Sequence, residues 1–446
     1  MKKILMRAGM SPLDNFDAFH VLTNNTIGNN IGNMLFPYSI ARTLMLEDTE
    51  ITTIRTERRF TKEEIEHFNR EYDCLVLPFA NAFRKSFIPG LKAVTSLVNQ
   101  LKIPCIVVGI GMQRKLNNAE DDPELDTAAK KFMKSVLKKS VMVGVRGEET
   151  ADYLKKLGFQ EEKDFTVIGC PSMYTFGKDL PELKPTELTK ESKLSFNSKI
   201  SLPAKFHAFL NRGMKQYKNY HYVPQVIEEI YRMYVGMPYP STFCQRKPKY
   251  FPIKCSNNIY KSGRGISFIN VPTWLEYLKT KDLSVGSRIH GNIAALLAGT
   301  PCFIVVSDRR ILELVQYHHI PHILMEDLKE DTTIAELYEK ADYTAIHHGH
   351  EERFMHYLDF LNKNGLQTIY DKNGIAGSVP FDQKVAEISY HEPLYSISSL
   401  EVNDQALRIE QFLGYYRDKT VELQRQLAEK TKSEILKSNQ KKRFWH

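Results

Sequence analysis

A chain of 446 residues is longer than one ordinary hydrophobic core organises, so two domains and an appendage are expected. Its 42% hydrophobic and 26% charged residues are those of a water-soluble globular protein, and no window nears the roughly eighteen uncharged apolar residues of a membrane span. The formal charge of +8 is mild and its cations are dispersed, which favours an anionic small substrate or an anionic membrane surface and disfavours nucleic acid as a partner.

In chain order, the opening MKKILMRAGM turns polar too soon for a signal peptide. Strands are expected at 4–6, 51–56, 74–77, 106–108, 141–145 and 166–168, with helices near 34–46, 62–69, 94–101, 127–137 and 148–157. Short apolar runs alternating with helices call for a mostly parallel sheet covered on both faces. Function in such sheets gathers at the carboxyl ends of the strands. Residues 24–33, after the first strand, are rich in Asn and Gly. Asn29, Asn30 and Asn33 could offer amides to a sugar or phosphate, or merely make the turn before the next helix.

The segment 178–192 reads as a linker, and a second series of strands follows at 194–197, 221–223, 265–270, 283–285, 302–306 and 322–324. Asn197 ends the first of these and Gln225 lies just past the second, where either a ligand or the loop itself could take their amides. The insert 234–263 has no period and is expected to be a lid or an extra helical excursion. Residues 350–365 form a helical pattern closed by Gly365. A charged helix with a loose stripe of Leu407, Leu413, Leu423 and Leu427 is expected over 403–437, followed by KKRFWH. Such a tail suits a solvated helix, an oligomer contact or a membrane-surface anchor. These divisions give domains at 1–185 and 186–372, with an extension at 373–446.

The six cysteines show no C-x-x-C spacing, and Cys74, Cys105 and Cys302 fall inside apolar strand patterns. That is the pattern of reduced core thiols in a cytoplasmic protein. The histidine clusters at 317–322 and 347–350 lack the i, i+4 spacing with a carboxylate that a zinc motif requires, so no metal is expected.

The stretch VGSRIHGNIAALLAGTPCFIVV, 285–306, is the most informative. It reads as a strand, a tight loop with Arg288 and His290, a short helix, then another strand. A helix N-terminus presents free N–H groups and a positive dipole, and Gly291 removes a side chain where a ligand would approach the backbone. Arg288 adds a forked cation, and His290 a group that can carry a proton near neutral pH. A capped or salt-bridged turn would use the same residues.

This stretch resembles the C-terminal signature of the polysaccharide pyruvyltransferase family. Three further segments are similar to that family: GNNIGNMLFPYSI (28–40), YDCLVLPF with IPCIVVGIGMQ (72–79 and 103–113), and VMVGVRGEETADYLKKLGF (141–159). The matches stand in order through about the first 370 residues. The resemblance implies a GT-B-like α/β fold, two Rossmann-like domains facing across a cleft with a helical tail. It also implies transfer of a pyruvyl group from phosphoenolpyruvate to a saccharide, or lipid-linked saccharide, in surface polysaccharide biosynthesis. Arg146, Arg288, Gly291 and Asn292 would bind the donor and His290 would act as acid. SDRRILEL (307–314) maps a family Arg and Glu onto Arg310 and Glu313.

That chemistry passes through a carbocation-like carbon, so it requires an acid and neither a metal nor a cofactor. Three departures touch acceptor recognition: Gly147 follows Arg146 where an acidic residue is expected, Asn33 replaces an Asp, and LPFANAF lacks paired glycines. Two rival readings are a nucleotide-sugar glycosyltransferase of the same fold and a non-catalytic saccharide-binding protein. A homo-oligomer, and a peripheral contact with the inner face of the membrane through the tail, are further expectations.

Overall fold

The structure, a computed structural model, describes residues 1–113, 122–183, 185–238 and 249–443. In the first half, β1 (Lys2–Arg7), β2 (Thr49–Ile54), β3 (Cys74–Pro78) and β4 (Cys105–Val108) form a parallel sheet ordered β2-β1-β3-β4. Strands β5 (Val143–Val145) and β6 (Phe165–Val167) continue it, because the Gly109 and Ile110 N–H groups both donate to the Gly144 carbonyl, at 2.9 and 3.1 Å. Its helices are α1 (Ala18–Asn24), α2 (Gly32–Leu44), α3 (Lys62–Glu71), α4 (Ile88–Gln100), α5 (Pro123–Val136) and α6 (Glu148–Lys156).

In the second half, β7 (Lys193–Asn197), β8 (Asn219–Tyr222), β10 (Leu283–Gly286), β11 (Cys302–Val306) and β12 (His322–Leu324) make a sheet ordered β12-β11-β10-β7-β8, parallel throughout. The short β9 (Ile266–Ser267) and β13 (Leu394–Tyr395) pair antiparallel beside it. The helices here are α7 (Ala204–Gln216), α8 (Ile227–Val235), α9 (Asn258–Lys261), α10 (Val271–Lys279), α11 (Ile289–Leu297), α12 (Arg309–Tyr317), α13 (Ile334–Lys340), α14 (His350–Lys363) and α15 (Pro380–Ala386). The two α/β layers and the final helix α16 (Val402–Arg443) follow the plan expected from the sequence.

Burial explains the strand composition. Every residue of β3, CLVLP, and of β11, CFIVV, is buried, as in strands covered on both faces. Each fully buried aliphatic side chain there contributes about 1.5–3 kcal/mol. Helix α11 is buried along its whole length, so its Ala/Leu run is packing material between layers.

Several elements tie the halves together. The 24–33 loop bonds through its backbone to the second half: Ile31 N–H donates to Gln225 O at 2.9 Å, and Ile227 N–H to Asn29 O at 3.1 Å. Helix α14 reaches back to the first half, where Tyr357 stacks on Tyr174 with ring centroids 4.9 Å apart. Helix α16 inserts Phe412 between Phe19, at 5.1 Å, and Tyr231, at 5.9 Å.

Some expectations are corrected. Strand 265–270 shortens to β9, because the Asn270 side chain accepts the Thr273 N–H and starts α10. Helix α1 was not foreseen; Asp17 caps it within the approach to the Asn-rich loop. The leucines of the tail stripe, Leu407, Leu413, Leu423 and Leu427, are exposed, and Phe412 makes the docking contact instead. Part of the 234–263 insert, with Cys244, and the end of KKRFWH lie outside the described residues. No helix among the described residues is long and apolar enough to cross a membrane.

Candidate active site

The carboxyl ends of β1 and β3 open into a cavity of about 510 Å³. Arg7, Arg55, Arg84, Asn29 and Asn33 line it from the first half, and His290 forms part of its wall from the second. His290 is in the first turn of α11, not in the loop before it, with Arg288 at the N-cap position. The turn approaches α2 so closely that a Cβ on Gly32 would lie 2.8 Å from His290 Cβ and 3.2 Å from its Nδ1.

Behind His290 lies Arg146, just past the end of β5 and without solvent exposure. Its Nη2 is 3.3 Å from His290 Nε2, and its guanidinium lies 5.2 Å from the centre of the Phe36 ring. A guanidinium only donates, so Nε2 accepts and the imidazole proton is assigned to Nδ1. The Cys170 thiol approaches the same Nε2 at 3.8 Å. Arg146 Nε and Nη1 have no hydrogen-bond partner among the described residues. Burial lowers the Arg146 pKa, and burial together with Arg146 and Arg310 holds His290 well below its ordinary value. His290 is therefore neutral at pH 7 in the unliganded protein.

Arg288 faces another way. Its Nε donates to Ser198 O at 2.7 Å, and its Nη2 lies 3.4 Å from the buried Glu229 carboxylate. Burial raises Glu229 to about 7, against the pull of Arg288. The structure thus brings Arg146 and His290 into contact and engages Arg288 with α8.

The space beside Gly291, expected to admit a ligand to the backbone, holds the Gln225 amide, with which any Cβ would collide. Asn292 and Asn197 are buried in one network. Asn197 Oδ1 accepts the Arg288 N–H at 2.8 Å, Asn292 Oδ1 accepts the Ser284 hydroxyl at 2.9 Å, and Asn292 Nδ2 donates to Arg288 O at 3.0 Å. These amides hold the β10–α11 loop in shape. The Asn-rich loop is likewise self-bonded: Asn30 Oδ1 accepts Gly32 N–H at 2.8 Å, and Asn33 Nδ2 donates to Gly28 O at 2.8 Å. Asn29 N–H donates to Asn25 Oδ1 at 2.7 Å.

From α12, Glu313 reaches across to the start of α6, where Thr150 Oγ1 donates to it at 3.1 Å. A Cβ on Gly147 would come within 3.0 Å of Glu313, so Gly147 leaves room for this carboxyl from the other half. Burial raises Glu313 to about 7, partly offset by Arg146 and Thr150. Arg310 contacts Asp308 at 3.4 Å, and Lys199 contacts the same carboxylate at 3.2 Å. Burial opposes ionisation of Asp308, but Arg310 and Lys199 keep it at about 2.

Sequence reasoning missed Arg7, Arg55, Arg84, Lys199 and Glu229. Arg7 ends β1, while Arg55 and Lys199 lie just past β2 and β7; the strand-end rule that singled out Arg146 applies to each. The expected strand 51–56 had enclosed Arg55. Two of the clustered histidines bond to the main chain: His318 Nε2 accepts the Cys170 N–H at 2.8 Å, and His350 Nε2 lies 3.2 Å from Gly177 O.

Residues 30–309 match the family described as polysaccharide pyruvyl transferase. None of the curated proteins matches the chain. Among solved structures, UDP-GlcNAc 2-epimerase from Methanocaldococcus jannaschii, in complex with UDP-GlcNAc and UDP, is 11% identical with a TM-score of 0.43, covering 81% of this chain and 99% of its own. Sucrose-phosphate synthase from Thermosynechococcus elongatus is 11% identical with a TM-score of 0.41, covering 82% and 98%.

Proposed function

The chain belongs to the polysaccharide pyruvyl transferase family, and we propose that it moves a pyruvyl group from phosphoenolpyruvate to a saccharide as a cyclic ketal. The observation that carries this reading is Arg146, a fully buried guanidinium with two nitrogens unpartnered among the described residues, beside a neutral imidazole. An unpaired buried charge costs several kcal/mol, which a small dianion would offset. Phosphoenolpyruvate presents such charge on a compact frame.

Binding there would draw Arg146 from His290 Nε2 to the anion. The freed nitrogen, next to a phosphate, would then favour its protonated form. His290 would pass that proton to the methylene carbon of the donor, making the central carbon electrophilic. A sugar hydroxyl attacks this carbon and returns its proton to the now neutral His290, the carbon–oxygen bond to phosphate breaks, and a second hydroxyl of the same sugar closes the ketal as its proton leaves with the phosphate. General acid catalysis of this kind contributes about 10²–10⁴-fold. Glu229 would hold Arg288 until the anion competes for it, and Arg310 and Lys199 would add to the positive field.

Thermal shift gives the first test and glycan-dependent phosphate release the second. Stabilisation by phosphoenolpyruvate, followed by such release, is the expected result. Stabilisation by a nucleotide sugar and not by phosphoenolpyruvate would overturn the reading in favour of a glycosyltransferase.

A further inference from the structure

We infer that the acceptor is itself anionic, carrying a phosphate ester that the Arg55–Arg84 side of the cavity receives; the inference rests on the pyruvyl-transfer reading. Among the described residues lining the cavity, three guanidiniums, Arg7, Arg55 and Arg84, face one carboxylate, Glu57, which pairs with Arg7. Arg55 has no carboxylate partner among the described residues and gives Nη2 to Asn24 O at 2.7 Å. Arg84 has none either; its Nε donates to Ser86 Oγ at 3.1 Å and its Nη1 to Asn81 O. Burial, Arg310 and Arg7 all lower the Arg84 pKa, so this cation stands in the positive field of other guanidiniums.

Hydrogen-bond supply points the same way. A neutral sugar offers hydroxyls, and a site for it uses acceptors as well as donors. Guanidiniums only donate. Two of the four Asn side-chain oxygens on the wall are engaged: Asn25 Oδ1 takes the Asn29 N–H, and Asn29 Oδ1 takes the Asn25 amide, both at 2.7 Å. A wall with three guanidiniums and one carboxylate among its described residues suits a ligand rich in acceptor oxygens, and forked guanidiniums match phosphate. At about 510 Å³ the cavity has room for a monosaccharide and its phosphate. Arg146 lies behind His290 and does not line it, so the cations of donor and acceptor form two sets that meet at one imidazole.

The test titrates the full chain with inorganic pyrophosphate, glucose 1-phosphate, glucose and glucuronic acid, with and without saturating phosphoenolpyruvate, and follows thermal shift and calorimetry. Pyrophosphate and glucose 1-phosphate should stabilise the protein additively with phosphoenolpyruvate, and glucose should not. Arg55→Gln and Arg84→Gln should each weaken pyrophosphate about tenfold and leave the phosphoenolpyruvate response unchanged. No pyrophosphate response, one indifferent to both substitutions, one competitive with phosphoenolpyruvate, or a preference for glucuronic acid would each overturn the inference. An intact, Arg84-dependent pyrophosphate response without any response to phosphoenolpyruvate would overturn the donor reading and leave the cavity's phosphate preference standing.

Discussion

Arg146 Nη2 and His290 Nε2 meet at 3.3 Å although 144 positions separate them, one residue from each half of the chain. Each makes the other's charge expensive, so the pair rests with the cation on Arg146 and a neutral ring on His290. Donor binding at pH 7 should therefore take up a proton. Calorimetry in two buffers of different ionisation enthalpy should find uptake approaching one proton in the wild type and close to none in His290→Gln.

The same substitution should lower kcat by about 10²–10⁴-fold and leave the dissociation constant of phosphoenolpyruvate within a few fold. Steady-state phosphate release and a direct binding titration separate the two. Wild-type turnover in His290→Gln would remove the ring from the mechanism.

Arg146→Met exchanges an under-paired buried cation for an apolar side chain of similar length. At pH 6, where the neighbouring Glu313 keeps its proton, unliganded stability should be unchanged or higher by about 1–2 kcal/mol, while stabilisation by phosphoenolpyruvate disappears. Denaturant melts with and without donor measure both. A large loss of unliganded stability would mean that the guanidinium is structural.

Glu313 gives a pH signature. Its folded pKa of about 7 exceeds the unfolded value, so between about pH 4.5 and 7 the folded state holds the extra proton and this residue's contribution falls as pH rises. Relative to Glu313→Gln, the wild type should lose stability with a slope of up to about 1.4 kcal/mol per pH unit across that window. Parallel stability curves for the two proteins would contradict the buried, protonated carboxyl.

Gly32→Ala tests how tightly the ring is placed. The new Cβ would press on His290 Cβ at 2.8 Å and on Asn30 Oδ1 at 3.0 Å. Turnover should drop at least tenfold, with a folded circular-dichroism spectrum and little change in donor affinity.

The sequence made the layers legible because strands covered on both faces are written as unbroken apolar runs; 302–306 matches the fully buried β11 residue for residue. The Arg146–His290 contact was approachable because both residues follow strand ends. Arg288's orientation was not, since it depends on Glu229, 59 positions earlier and buried on α8. Gly291 shows the limit of reading a glycine alone: the chain there makes room for Gln225, a neighbour that no local pattern announces. Loop amides pose the same difficulty, because Asn29 and Asn33 have suitable side chains but use them on their own turn.

The main-chain bonds between Ile31 and Gln225, and between Ile227 and Asn29, rivet the rim of the cavity shut on one side. A hinge swinging wide on that side would have to unzip them and strand their N–H groups. On the reading proposed above, a saccharide would enter from the side these bonds leave free, without a clamshell opening across them.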